Sequence, residues 1–201
     1  MRFLLISLLS FSLSAAENSI DIDTKGSSSS IYIDQIGSGN TVKVWCGLSN
    51  GTYSTHNCSS ATIDIDQNGT SNVARAYSQL ISHTGNEYKI EQTGDDNFGY
   101  IDADDDSNDM DIVSNGNNND AEIYMQGDNN VYSITQTGND KEGEVRAFGD
   151  SSNFSINQSG SGEHYAKIYA SNSADNNDAS IAQTGSGDHY MRLNFYTDDY
   201  N

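Results

Sequence analysis

The chain has 201 residues, 9 basic against 29 acidic side chains, no proline and 34% hydrophobic residues, for a net charge of −20. So acidic a surface excludes nucleic acid as a partner, and unassisted binding to an anionic membrane with it. Low hydrophobicity with high charge is also the composition of chains that stay unfolded, and only the order of the residues decides against that here.

Met1 and Arg2 lead into an apolar run from Phe3 to Leu13, and Ser14, Ala15 and Ala16 follow as small residues suited to cleavage. This predicts a secretory signal peptide over residues 1–16, too short to persist as a membrane span. Its removal takes Arg2 with it, leaving 8 − 29 = −21. No second apolar run of spanning length follows, so the expected mature chain is secreted and is not inserted in a membrane.

Residues 17–28 form an N-terminal segment or half repeat. Asn18, Ile20, Ile22, Thr24 and Gly26 imitate the first strand of the repeats that follow, but Thr24 stands only 11 residues before Gln35, half a period, so the segment is expected to be an unpaired half coil.

From residue 29 to 201 an Ile-x-Gln-x-Gly pattern recurs seven times, once with serine in the glutamine place. The isoleucines are Ile33, Ile65, Ile90, Ile112, Ile134, Ile156 and Ile181. The anchors two residues on are Gln35, Gln67, Gln92, Ser114, Gln136, Gln158 and Gln183, spaced by 32, 25, 22, 22, 22 and 25 residues. Glycine follows each anchor at Gly37, Gly69, Gly94, Gly116, Gly138, Gly160 and Gly185. A period near 22 is one coil of a stacked architecture, because such a unit cannot bury its own apolar face.

Ahead of each anchor the apolar residues alternate, as in Ile31 and Ile33, Tyr88 and Ile90, or Phe154 and Ile156, which predicts a strand with one buried face. The glycine is expected to open an arc by taking backbone angles that other residues disfavour. Asn40, Asn72, Asn97 and Asn119 come three residues later, then Lys141, and His164 and His189 take that place in the last two units. A second alternating strand follows, with Val42 and Val44, Ala74 and Ala76, Gly99 and Ile101, and so on to Met191 and Leu193. Small residues there face large ones on the first strand, as a thin two-sheet core requires. The predicted fold is therefore all-β: a β-solenoid of about seven stacked strand-arc-strand repeats, with the cross-β arrangement of amyloid.

Stacking puts like residues above one another about every 4.8 Å. Isoleucines satisfy each other without specificity, at roughly 1.5–3 kcal/mol per buried side chain. A glutamine amide both donates and accepts, so a slip of one coil leaves it unpaired at about 1–3 kcal/mol. The glutamine and isoleucine columns are thus the predicted assembly ladder.

Cys46 and Cys58 bracket the ten extra residues between the first two anchors. In an exported chain a disulfide closing that loop is expected, worth on the order of 3 kcal/mol, with two free thiols as the alternative. Between the third and fourth units Asp102, Asp104, Asp105, Asp106, Asp109 and Asp111 form the best metal candidate. They lack EF-hand spacing, and a solvated acidic turn is the reading we adopt. The Gly-Ser-Gly runs at 37–39, 160–162 and 185–187 enter no helical pattern and read as arcs rather than phosphate loops. His56, His83, His164 and His189 form no ligand motif; His164 and His189 are two ligands on adjacent coils, too few for a closed zinc site. No nucleophile–base–acid constellation is found, so no enzyme, cofactor or metal centre is expected.

The repeat resembles that of curlin, the subunit of bacterial curli fibres, which reads roughly S-x5-Q-x-G-x-G-N-x-A-x3-Q. Ser29, Gln35, Gly37, Gly39 and Asn40 carry it in the first unit, and Gln67, Gly69, Asn72 and Ala74 in the second. The likeness covers approximately residues 29–196. The second glutamine of the family's repeat is replaced here by Cys46, Ser78, Ala103, Met125 and Ala147. What the resemblance implies is a secreted structural subunit that assembles with itself, end to end, into extracellular amyloid fibres at the cell surface for adhesion and biofilm matrix. Curli-type secretion and nucleation proteins would be its partners. A soluble β-solenoid module binding carbohydrate or calcium is the alternative, and a minor or nucleating fibre component a third reading. A binding face should repeat its outward residues, whereas Asp34, Asp66, Glu91, Val113, Thr135, Asn157 and Ala182 vary.

Overall fold

The computed structural model describes residues 17–24, 29–47, 60–78, 85–104, 106–171 and 177–196. The segment 1–16 expected as a signal peptide lies outside these, as do Gly26, Cys58, His56, His83 and Asp105.

The alternation of apolar and polar residues produces strands and no helix among the described residues. The first elements are β1 (Ile20–Thr24), β2 (Ser30–Gly37), β3 (Val42–Cys46) and β4 (Thr62–Gly69). β5 (Ala74–Ser78), β6 (Glu87–Glu91), β7 (Gly99–Asp104) and β8 (Met110–Ile112) follow. β9 (Ala121–Gln126), β10 (Gly143–Phe148), β11 (His164–Ser171) and β12 (His189–Tyr196) complete the set.

These strands form two parallel sheets, an eight-stranded one in the order β1-β3-β5-β7-β9-β10-β11-β12 and a four-stranded one in the order β2-β4-β6-β8. The chain passes from one sheet to the other and back, so each coil pairs only with its neighbours in sequence. The molecule is a β-solenoid.

Register follows the sequence columns. Ile33 pairs with Ile65 and Gln35 with Gln67; Ile65 pairs with Ile90, and Ile90 with Ile112. On the other sheet Val44, Ala76, Ile101, Ile123, Val145, Ile168 and Leu193 succeed one another.

The four-stranded sheet does not stop at β8. The Thr135 and Gln136 amides donate to the carbonyls of Ile112 and Val113 at 3.0 and 2.8 Å, and the Ile156 amide donates to Ser180 at 3.1 Å. Tyr132, Gln136 and Gln158 take left-handed backbone angles (φ 41°, 52° and 39°), which interrupt regular strand geometry while their side chains still point inward. Segments 132–137, 154–159 and 179–184 thus continue that side of the stack, giving seven layers, one per anchor.

The core lies between the sheets. Isoleucines of the first strands fill space left by small residues of the second: a Cβ on Gly99 would come within 3.0 Å of Ile112 Cγ2, and one on Gly143 within 3.2 Å of Ile156 Cγ2. Tyr132 stacks on Phe154 at 5.3 Å in the column that begins at Ile31. Outward residues of the larger sheet stack as well, Trp45 over Tyr77 at 4.0 Å and Tyr165 over Tyr190 at 5.0 Å.

Two expectations are corrected. β1 is a half coil but not an unpaired one: it lies on the sheet of second strands, Ile20 paired with Val42 and Ile22 with Val44, rather than imitating a first strand. Alternation alone did not distinguish the two, because both sheets present the same period. The left-handed arc position is also displaced by one residue. It falls on Ser38, Thr70, Asp95, Asn117 and Asn139 (φ 83°, 90°, 81°, 85° and 72°), just after the glycine, and of the seven anchor glycines only Gly185 takes such an angle.

Candidate functional site: the amide ladders and the two ends

All seven isoleucines of the predicted ladder line one inward column; the first six are buried and Ile181, in the last coil, is half-buried. The glutamines bond along the stack. Gln35 Nε2 donates to Gln67 Oε1 at 3.2 Å, and Gln67 Nε2 to Gln92 Oε1 at 3.0 Å. After Ser114 the ladder resumes, Gln136 Nε2 donating to Gln158 Oε1 and Gln158 Nε2 to Gln183 Oε1, both at 2.8 Å. Each donor thus points toward the C-terminal end. The same nitrogens reach across the arc to carbonyls: Gln136 to Glu142 at 2.8 Å, Gln158 to Tyr165 at 2.7 Å, Gln183 to Tyr190 at 3.0 Å.

Ser114 interrupts this column. Its hydroxyl and the Oε1 of Gln136 are both buried without a hydrogen-bond partner in the protein. Serine is too short to bridge the spacing that glutamine spans, so the ladder runs as two segments.

The asparagine column bonds in the opposite direction. Asn72, Asn97 and Asn119 each donate from Nδ2 to the Oδ1 of the preceding residue, at 3.0, 2.7 and 2.9 Å. Two buried amide columns of opposed polarity therefore fix both the register and the direction of the stack. Lys141 continues the asparagine column while 97% buried. Burial lowers its pKa, and its ammonium donates to the carbonyls of Asn139 and Gly160, the latter at 2.8 Å. His164 is buried in turn, with its pKa lowered by burial and by Lys141, and its ring lies 4.5 Å from that of His189. The two rings line a cleft of about 470 Å³ with Asp140, Lys141, Glu163 and Asp188.

A further ladder escaped the sequence reading. Six residues ahead of their anchors stand Asn86, Asn108, Asn130 and Ser152, all buried, and Asn130 Nδ2 donates to Asn108 Oδ1 at 2.8 Å. The signal was present at Ser29, which occupies the same place in the first unit. On the exposed arc the amides of Thr70, Asp95 and Asn117 donate to side-chain oxygens of Asp95, Asn117 and Asn139, at 2.9, 2.8 and 2.8 Å. The side chain of each coil thereby holds the left-handed turn of the coil before it.

Cys46 is fully buried at the end of β3 and is disulfide-bonded, while Cys58 lies outside the described residues. The acidic run does not converge. Asp102 and Asp104 lie on β7 in one sheet, Asp109 and Asp111 at β8 in the other, and the Asp106 amide donates to Asp128 in the intervening turn at 2.9 Å. Among the described residues no three His, Cys, Asp or Glu side chains are grouped to hold a metal ion.

The ends differ from the middle. At the C-terminal end β12 presents Met191, Leu193 and Phe195 at 54, 42 and 45% exposure, where the equivalent residues of β11 are buried. At the N-terminal end β2 pairs, among the described residues, with β4 alone, so no described strand covers its outer edge. No family model, curated protein or solved structure matches this chain.

Proposed function

We propose that this chain is a secreted structural subunit that stacks end to end into curli-like extracellular fibres serving adhesion and biofilm matrix. The observation that carries this reading is the open C-terminal coil. Its inward columns, Ile181, Gln183, Met191, Leu193 and Phe195, continue the core pattern, and no described residue lies over them. Open parallel edges with unmet backbone groups template the addition of another chain; among the described residues no helix covers this one, and the sequence has no proline to blunt it. The resemblance to curlin supports the same reading, and export and nucleation proteins of the curli type would be the partners.

The test is direct. Purified mature chain should form fibres that bind amyloid dyes, with a meridional reflection at about 4.8 Å. A chain that stays monomeric under seeding and across salt concentrations would overturn the proposal.

A further inference from the structure

Among the described residues the two sides of the solenoid are unequal in height. One carries eight strands and the other seven layers, and the surplus strand is β1. We infer that β1 is a displaceable strand covering the edge on which a second copy docks: copies join by seating β12 on β3 and segment 179–184 on β2, after β1 has lifted away. This rests on the end-to-end stacking proposed above and adds where the joint lies and what guards it.

Layers of a parallel stack are about 4.8 Å apart. If β12 of one copy paired with β1 of the next, segment 179–184 and β2 would face each other across two spacings, about 9.6 Å, beyond any N–H···O bond. One sheet would close and the other would gape. With β1 lifted, both sheets continue at one spacing, and Gln183 Nε2 points on toward Gln35 Oε1 of the next copy, in the direction every glutamine of the column follows. Met191, Leu193 and Phe195 then fall on Val42, Val44 and Cys46, in the register that the stack already keeps.

An independent observation marks the same edge. Every later asparagine of its column donates toward the N-terminal end, so Asn40 Nδ2 is aimed at the place β1 covers, and there it is buried without an acceptor in the protein. Asn18 holds the equivalent place ahead of β1, but the hydrogen-bond network turns its amide nitrogen to the carbonyls of Gly37 and Ser38. At the joint the residue before Asn40 in the column is His189 of the other copy. The His189 Nε2 bonds to the Gly185 carbonyl, which leaves Nδ1 as an acceptor. β1 thus shields the edge without completing it. Its hold is slight: five residues, with Ile20 and Ile22 only half-buried. One pairing favours the opposite arrangement, since a retained β1 would place Asp21 against Arg192 of the other copy, and the experiment decides between them.

The full mature chain carrying Ile20→Asp and Ile22→Asp should unseat β1 without altering either docking edge. Seeded growth, followed by dye fluorescence, is expected to become on the order of tenfold faster, because a larger fraction of ends is competent. A synthetic peptide of residues 17–28 added in trans should slow it again. Growth of the variant equal to or slower than that of growing wild-type chain, with the variant folded by circular dichroism, overturns this inference alone. Growth of the variant where wild-type chain does not grow supports it. Failure of both chains to form fibres overturns the stacking proposal and this inference together.

Discussion

At the scale of single residues, the interior is ordered by amides whose partners lie one coil away. Leucine in place of Gln67 keeps the volume but removes the ladder partner of Gln35 Nε2 and of Gln92 Oε1. That leaves them only the longer bonds to the Thr41 carbonyl (3.4 Å) and from the Val73 amide (3.3 Å), and the two lost bonds cost about 0.5–1.5 kcal/mol each. Ser114 is the natural form of such a lesion, with its hydroxyl and Gln136 Oε1 both unmet. Ser114→Gln should therefore join the two half-ladders. The backbone there already has φ 64°, close to the 52° that Gln136 adopts, so glutamine meets no new backbone conflict. The expected gain is about 1–3 kcal/mol in denaturant unfolding, and an unchanged midpoint would show that the interruption costs nothing.

At the scale of elements, arcs and outward ladders behave differently. A Cβ on Gly94 would stand 3.5 Å from Asn117 Oδ1, an ordinary contact, whereas one on Gly187 would come within 2.4 Å of the Gly162 carbonyl oxygen. Gly94→Ala should therefore be nearly neutral in thermal unfolding, and Gly187→Ala should loosen the last coil, read as lost amide protection in β12. On the outward face of the smaller sheet, partial burial together with Glu91, Asp64 and Asp34 pushes the Asp66 carboxyl up to about 6. Folded chain then binds more protons than unfolded chain between about pH 6 and the ordinary 3.8, so stability rises as pH falls through that window. Glu91, bonded by Lys89, is held below its ordinary 4.5, as is Glu144, where bonds from Arg146 and Lys167 outweigh burial; their contribution is lost as the solution becomes more acidic than that. Between pH 7 and 5 the Asp66 gain is opposed by His164, whose lowered pKa costs stability as pH falls, so the Asp66 contribution is read as a difference. Asp66→Asn should raise the melting temperature at pH 7, and that advantage should shrink as pH falls to about 4. The columns themselves were legible in the sequence, because alternation fixes the buried face and the isoleucine and glutamine positions fix the register. The sheet to which β1 belongs was not, since period two is common to both sheets, nor was the direction of each amide ladder, which depends on side-chain rotamers. Lys141 and Ser114 read as substitutions in a column; only the arrangement of surrounding carbonyls shows that one is satisfied and the other is not.

At the scale of the whole molecule, contacts run only between neighbouring coils, so stability is close to a sum of coils and interfaces. A chain ending at Ser171 loses the last coil, 177–196, and with it a single interface. The rest of the stack keeps its partners, and the new terminal layer still presents Ile156, Gln158 and Ile168 in column. Folding should therefore survive as one cooperative transition, with a denaturant slope smaller by about one-seventh. Fibre growth should respond more strongly than stability. The exposed end now offers Ala166 and Ala170 in the columns where the full chain offers Met191 and Phe195, which leaves far less apolar surface to bury against an incoming copy. Seeded elongation of the truncated chain is thus expected to slow markedly while its circular dichroism stays that of a β-protein. Unchanged elongation would mean that growth does not use the C-terminal end, and loss of all β-structure would mean that the last coil nucleates the stack rather than closing it.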